Sequence, residues 1–412
     1  MTGFKLCFMS RSTYQETVET KSDLTELPRP ELSVVMPCLN EGDTLAYCIE
    51  SAQRTLAENN IAGEIIVADN GSTDDSREIA RRSGARVVEV KSKGYGNALM
   101  GGINAARGKY VLMADSDGSY DFGEIPSFVA KLREGYDIVQ GCRLPSGGGR
   151  VMPGAMPFLH RWVGNPFFSF LTRAWFKAPI HDTNCGQRAF TKEFYDLLDQ
   201  RCTGMEFANE MIIKSSMYGA RMAEVPVTLR PDGRKAHGPH LRTFRDGWRT
   251  LRFLMMYSPR WLFLVPGSLL ILAGLAGYAV AMPGLVIGGV RFDVHTLIFA
   301  TLAILLGYQS IIFAVFTKTF AISERLMPED SRMTRFLKLA NLERGLIAGA
   351  VALVAGLTLL LVAIYQWVDV HFQDLDYSRT MRWVIPGALL TALGFQTILS
   401  SFFISILRMH RQ

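Results

Sequence analysis

The chain has little with which to build a covalent framework. Its six cysteines include no CxxC pair and no Cys/His spacing of a zinc site, and five of them (Cys38, Cys48, Cys142, Cys185 and Cys202) fall between residues 31 and 240. Reduced, packed thiols are therefore expected, with neither disulfides nor metal-ligating cysteines. Near the start, hydrophobic character is confined to residues 6–9 and is broken by Arg11, which does not make a signal peptide, so no cleaved, exported form is expected. Charge is missing altogether from four stretches: residues 261–282, 294–316, 345–368 and 383–407 contain no Asp, Glu, Lys or Arg. Each is long enough to cross a hydrocarbon core, and four in succession would have no polar face to show water. An integral membrane protein with four transmembrane helices is expected.

Acidic residues are slightly outnumbered, 38 Asp and Glu against 44 Lys and Arg, for a formal charge of +6. The basic residues gather near the apolar stretches and not in a groove interleaved with aromatics, which points to an anionic lipid surface and away from nucleic acid. The link between the second and third stretches holds Lys318, Arg325, Arg332, Arg335, Lys338 and Arg344, whereas the first and third links hold only Arg291, Arg379 and Arg382. The positive-inside rule puts the second link in the cytoplasm. With four spans, the N-terminal region and the basic C-terminus share that side.

Residues 1–30 are polar and poorly periodic and read as a flexible arm. Residues 31–240 mix short apolar runs with turns and charges, the texture of a soluble domain with a full core. Runs at 32–36, 64–68, 86–90 and 110–114 alternate with helical patterns at 44–59, 73–83 and 96–106. That order predicts an α/β, Rossmann-like domain with a mostly parallel sheet. Residues 241–260 read as an amphipathic interfacial helix: Phe244, Trp248, Leu251 and Met255 share one arc, with Arg242, Arg245, Arg249 and Arg252 on the next. Residues 261–412 form the transmembrane domain.

In open α/β sheets, ligands bind beyond the carboxyl ends of the strands. Three such ends carry Pro37 to Glu41, Asp69 to Asp74, and Asp115-Ser116-Asp117. Two carboxylates one residue apart suit a hard divalent cation, Mg2+ or Mn2+, that completes its shell with water and phosphate. Asp, Ser and Gly are also ordinary turn formers, and Ser72 or Thr73 suits a helix cap. The glycines of Lys93-Gly94-Tyr95-Gly96 lead into a helix, but Leu99 replaces the third glycine of a dinucleotide fingerprint, which disfavours NAD.

The runs VVMPCLNE (34–41), ADNGSTD (68–74) and DSD (115–117), with KGYGNA (93–98), GCR (141–143) and HDTNCGQRAF (181–190), resemble inverting family 2 glycosyltransferases of the GT-A fold. In particular they are similar to dolichyl-phosphate-mannose and dolichol-phosphate-glucose synthases. The resemblance implies that Pro37, Leu39, Glu41, Asp69 and Gly94 surround a nucleotide-sugar and that Asp115 and Asp117 hold a metal and the diphosphate. It also implies that Arg143 faces an acceptor phosphate, with Asp182 and Arg188 near the reacting sugar; a structural Asp–Arg pair stays open. Arg234, Lys235 and Arg242 are expected to meet the lipid phosphate from a basic lid. The implied reaction moves a hexose from a nucleotide-sugar, a UDP-sugar favoured over GDP-mannose, to a polyprenyl phosphate with inversion. A processive polysaccharide synthase shares the fold, yet its QxxRW motif has Phe158 at the Gln position before Arg161-Trp162. A noncatalytic membrane scaffold with a transferase-like domain is the remaining alternative. The state of oligomerisation stays open.

Overall fold

A computed structural model describes residues 29–234, 243–324, 326–339 and 341–409. The chain opens with β1 (Leu32–Cys38), α1 (Leu45–Glu58), β2 (Gly63–Asp69), α2 (Ser76–Arg82), β3 (Arg86–Glu89), α3 (Tyr95–Ala105) and β4 (Tyr110–Met113). It continues with α4 (Ile125–Arg133), β5 (Ile138–Cys142), β6 (Arg150–Val151), α5 (Asn165–Phe176) and β7 (Arg188–Thr191). After these come α6 (Lys192–Leu198), α7 (Phe207–Met217), β8 (Met222–Pro226) and β9 (Thr228–Leu229). Seven strands make one sheet in the order β3-β2-β1-β4-β7-β5-β8. Only β7 runs against its neighbours β4 and β5.

The sheet is covered on both faces, so its central strands are apolar in both alternations. Leu32, Val34 and Met36 face Cys48, Ile49 and Phe128. Val35, Ile66, Val111 and Met113 face Leu99, Ile103, Phe207 and Met211. Pro37 sits inside β1 without breaking the ladder, because pairing with β4 has already ended at Val35↔Met113 and only the β2 side continues to Cys38↔Asp69. The parting of β1 from β4 opens the carboxyl edge of the sheet.

Beyond the sheet, α8 (Thr243–Met256) leads towards α9 (Val265–Ala281), followed by α10 (Val294–Ser323), α11 (Ser331–Leu339), α12 (Leu342–Asp369) and α13 (Tyr377–Leu407). Four helical segments, Arg260–Ala281, Val294–Ser323, Leu342–Asp369 and Tyr377–Leu407, are long and apolar enough to cross a membrane. They match the four charge-free stretches. Small residues let α9 and α10 approach closely: a Cβ on Gly307 would lie 2.6 Å from the carbonyl oxygen of Gly267. The catalytic-side half and the membrane half are joined by packing as well as by chain. Phe253 and Leu254 of α8 are buried with Leu171 of α5 and Ile213 of α7, and Trp175 stacks on Trp261 at 6.0 Å between centroids.

Candidate active site

The strand ends gather the acids. Past β4, the Tyr95 hydroxyl donates to Oδ1 of Asp115 at 2.8 Å. Oδ1 of Asp117 accepts from the Ser119 N–H (3.0 Å) and hydroxyl (2.6 Å). Burial, and next the negative charge of Asp117, push Asp115 up to about 6. Two carboxylates that resist sharing a site without a counter-charge have the electrostatics of a cation seat. Arg234 supplies part of that charge, with Nη2 3.1 Å from Asp117 Oδ2 and Nη1 3.1 Å from Glu41 Oε1. It is held there by Asp232. Among the described residues no cluster of three or more His, Cys, Asp or Glu is arranged to hold a metal. A pair is nonetheless what a Mg2+ or Mn2+ ion needs when substrate phosphate completes its shell.

Glycine is required beside Asp115. A Cβ on Gly186 would lie 2.5 Å from Asp115 Oδ2 and 3.1 Å from the Tyr120 hydroxyl, which accepts the Gly186 N–H at 2.7 Å. The strand β7 thereby brings its loop against the carboxylate.

Past β2, Asp69 is nearly fully buried and accepts the N–H groups of Gly71 and Ser72, both at 3.1 Å. Its carboxylate therefore shapes its own loop. The capping expectation is corrected here: α2 begins only at Ser76, and the Ser72 hydroxyl instead accepts the N–H of Asn40, which has φ of 60°. Asn70 ties the second loop to the third. Its Oδ1 accepts from Gly94 N–H at 2.8 Å while its amide donates to the carbonyls of Val90 and Ser92. Pro37 offers its carbonyl to the Ser116 hydroxyl at 2.8 Å, binding the first loop to the acid pair. Leu39 is 38% exposed beside them, an apolar side chain left over at the mouth.

Past β5, Arg143 makes a buried, two-pronged pair with Asp182: Nε to Oδ2 at 2.7 Å and Nη2 to Oδ1 at 2.9 Å. Burial opposes its charge and the neighbouring carboxylate more than offsets that, so the guanidinium stays protonated. Asp182 also accepts the Arg143 N–H, and its own N–H is taken by Glu224. The structural Asp–Arg pair left open for Asp182 is made with Arg143 and not with Arg188. Arg188 is fully buried and donates to the carbonyls of Ala208 (2.6 Å) and Cys185 (2.9 Å), a holding position. Arg234, expected at a lipid phosphate, lies against Glu41 and Asp117. Lys235 and Arg242 lie outside the described residues.

Residues 33–198 match the model of the family described as Glycosyl transferase family 2, and residues 315–408 match that of the Glycosyltransferase family 2 C-terminal transmembrane region. Over 379 residues the chain is 36% identical to the low-salt glycan biosynthesis hexosyltransferase Agl6 of Haloferax volcanii, an alignment covering 92% of this chain and 89% of that protein. The chain belongs to glycosyl transferase family 2. It is a glycosyltransferase with a GT-A catalytic domain and a transmembrane region. A dolichyl-phosphate hexose transferase of the same organism is 33% identical over 208 residues, 50% of this chain and 86% of that one. Glucosyl-3-phosphoglycerate synthase of Mycobacterium tuberculosis, solved with Mg2+ and UDP, is 24% identical and overlays 56% of this chain and 79% of that chain with a TM-score of 0.44.

Several residues that build the family 2 site were not singled out by sequence reasoning. Tyr95 stood only inside a glycine motif, and Asn70 only beside Asp69. Glu224, which accepts the N–H groups of both His181 and Asp182, had one visible signal: a lone acid in the middle of the short strand β8.

Proposed function

We propose that the enzyme transfers a hexose from a nucleotide-sugar to a polyprenyl phosphate at the cytoplasmic face of a membrane, with inversion at the anomeric carbon. The observation that carries this reading is the meeting of the Asp115/Asp117 pair with the Arg143–Asp182 pair at one sheet edge, joined by the 182–186 loop: Asp182 pairs with Arg143, and a Cβ on Gly186 would lie 2.5 Å from Asp115 Oδ2. One pair suits a cation and diphosphate; the other holds a guanidinium ready for a second phosphate. Four spans and a helix packed against both halves supply a lipid side. The two Haloferax relatives, a hexosyltransferase and a dolichyl-phosphate hexose transferase, support it.

Asp115 and Asp117 would hold Mg2+ or Mn2+, which neutralises charge on the departing nucleoside diphosphate when bound. Pro37, Leu39, Glu41, Asp69 and Gly94 surround the nucleotide, chiefly through the loops they shape. Arg143, kept planar and aimed by Asp182, receives the acceptor phosphate through its remaining N–H groups. A phosphate monoester has a second pKa of about 6 and is largely dianionic at neutral pH, so it needs little help from a general base. Alignment and charge stabilisation carry the rate enhancement. Direct displacement at the anomeric carbon turns an α-linked donor into a β-linked lipid product. Arg234 covers the donor acids until they are occupied, and the basic link between the second and third spans supports a cytoplasmic side for the domain.

Replacing Asp117 by Ala tests the assignment in membranes supplied with labelled nucleotide-sugars, UDP-hexoses first and GDP-mannose beside them, and a short polyprenyl phosphate. Transfer should fall by about 100-fold or more, as when a main electrostatic stabiliser is removed, with the amount of folded protein unchanged. Unaltered transfer would remove Asp117 from the chemistry.

A further inference from the structure

Below the acid pair lies a buried ionic cluster that the reaction does not use. Glu210 and Lys214, one turn apart on α7, are both fully buried and pair at 2.8 Å. Removing two charges from water is costly unless every remaining lone pair and proton finds a partner. Both groups are partnered here, from three places. Glu210 Oε2 accepts the N–H groups of Arg201 (3.0 Å) and Cys202 (2.8 Å), and Oε1 accepts the Tyr257 hydroxyl at 3.0 Å. Lys214 donates to the carbonyl of Asp199 at 2.7 Å. Burial opposes ionisation of Glu210, and Lys214 with the two N–H donors reverses that, holding it below the usual carboxylate range.

The backbone between Asp199 and Glu206 is therefore a strap fixed to Glu210 and Lys214 of α7, and Glu210 is held in turn by Tyr257, just past the end of α8. A second tie runs from Glu206 Oε1 to Arg249 Nε of α8 at 2.7 Å. The free face of the strap presses on the start of α3. Gly94 has φ of 132°, and a Cβ there would overlap the carbonyl oxygen of Thr203; a Cβ on Gly96 would overlap that of Cys202. The Asn97 N–H, one of the open donors of the first turn of α3, is satisfied by Thr203 at 3.2 Å. Between the two glycines stands Tyr95, whose hydroxyl holds Asp115.

We propose that Tyr95 is a positioning residue that aims the Asp115 carboxylate at the cation, and that the Glu210–Tyr257 clamp fixes Tyr95 through the 199–206 strap. The helix that leads into the first span thereby takes part in shaping the donor site. This rests on Asp115 and Asp117 being the cation's ligands. Tyr95 acts through Asp115, so its loss should weaken the hold on the cation more than it slows turnover at saturating cation. Tyr257 acts through more atoms and should weaken it less.

Binding of Mn2+ by the full-length protein in detergent, followed by electron paramagnetic resonance with UDP and separately with GDP, tests both halves. Each Tyr→Phe change removes one hydroxyl and keeps the ring. Tyr95→Phe should lower Mn2+ affinity by about tenfold, the scale of a lost hydrogen bond to a charged group. The Mn2+ concentration for half-maximal transfer should rise by a similar factor, with a smaller change in kcat. Tyr257→Phe should lower affinity by about threefold, and the double variant should fall short of the product of the two, the mark of residues acting along one route. Unchanged Mn2+ affinity in Tyr95→Phe overturns the positioning role. Unchanged affinity in Tyr257→Phe, or a fully multiplicative double variant, overturns the clamp. If the unmutated chain binds no Mn2+ with either nucleotide, the ligand assignment of the acid pair fails first and the proposal falls with it.

Discussion

A single side chain's chemistry in this site depends on how many of its bonds are already spent. Asp69 has used its oxygens on backbone N–H groups and Arg188 its two Nη groups on carbonyls, while Arg143 has used two N–H groups on Asp182 and keeps the rest. A lysine at 143 would keep the charge and lose the fork, leaving Asp182 half-satisfied in a buried place. Arg143→Lys should therefore cut kcat/KM for the lipid phosphate by roughly 100-fold, in line with a lost bidentate, charge-assisted contact, while donor binding changes little; steady-state kinetics with each substrate varied in turn would show it. Equal losses for both substrates would speak for a purely structural Arg143. Asp115, Asp117 and Arg143 were legible in the sequence because a charged residue directly after an apolar strand is conspicuous. Tyr95, Asn70 and Glu210 were not, since their importance lies in partners 20 or more residues away or on another element, and spacing carries no trace of that.

Elements were legible where their period was uninterrupted. The first four strands and three helices fall where the alternating runs predict, since the central strands are buried on both faces, the edge strand β3 is half-buried, and each helix has one apolar stripe. β7 escaped because it is four residues long and is preceded by a polar loop, with nothing local to say that it runs antiparallel. The start of α2 was misjudged by its cap, as Ser72 is spent on Asn40. At β9, Glu124 Oε1 accepts the N–H of Thr228 at 2.8 Å, and burial above all pushes Glu124 up from 4.5 to about 7. Raised in the fold, this acid contributes stability that is fully present below about 4.5 and is lost as pH rises through about 7. Glu124→Gln mimics the protonated form and keeps the acceptor oxygen. Its melting temperature relative to the unmutated chain should rise between pH 5 and pH 8; a difference that does not vary with pH would contradict this.

At the scale of the molecule, an even number of apolar segments returns the chain to the side from which it entered, so the sheet, the short helix α11 and the end of α13 share one face. α11 carries Arg332, Arg335 and Lys338, all exposed, as a surface facing anionic headgroups would. A catalytic edge tied to the entering helices by the Arg249–Glu206 ion pair, the Tyr257–Glu210 hydrogen bond and an aromatic stack is suited to an acceptor whose phosphate sits at headgroup depth and whose tail stays in lipid. The reaction itself decides whether that is its use. The chain reconstituted in liposomes with a polyprenyl phosphate, Mn2+ and a panel of α-linked nucleotide-sugars should yield a lipid carrying one hexose on its phosphate, β-configured by NMR. A retained α configuration, a growing sugar polymer, or release of free hexose with no labelled lipid would contradict it.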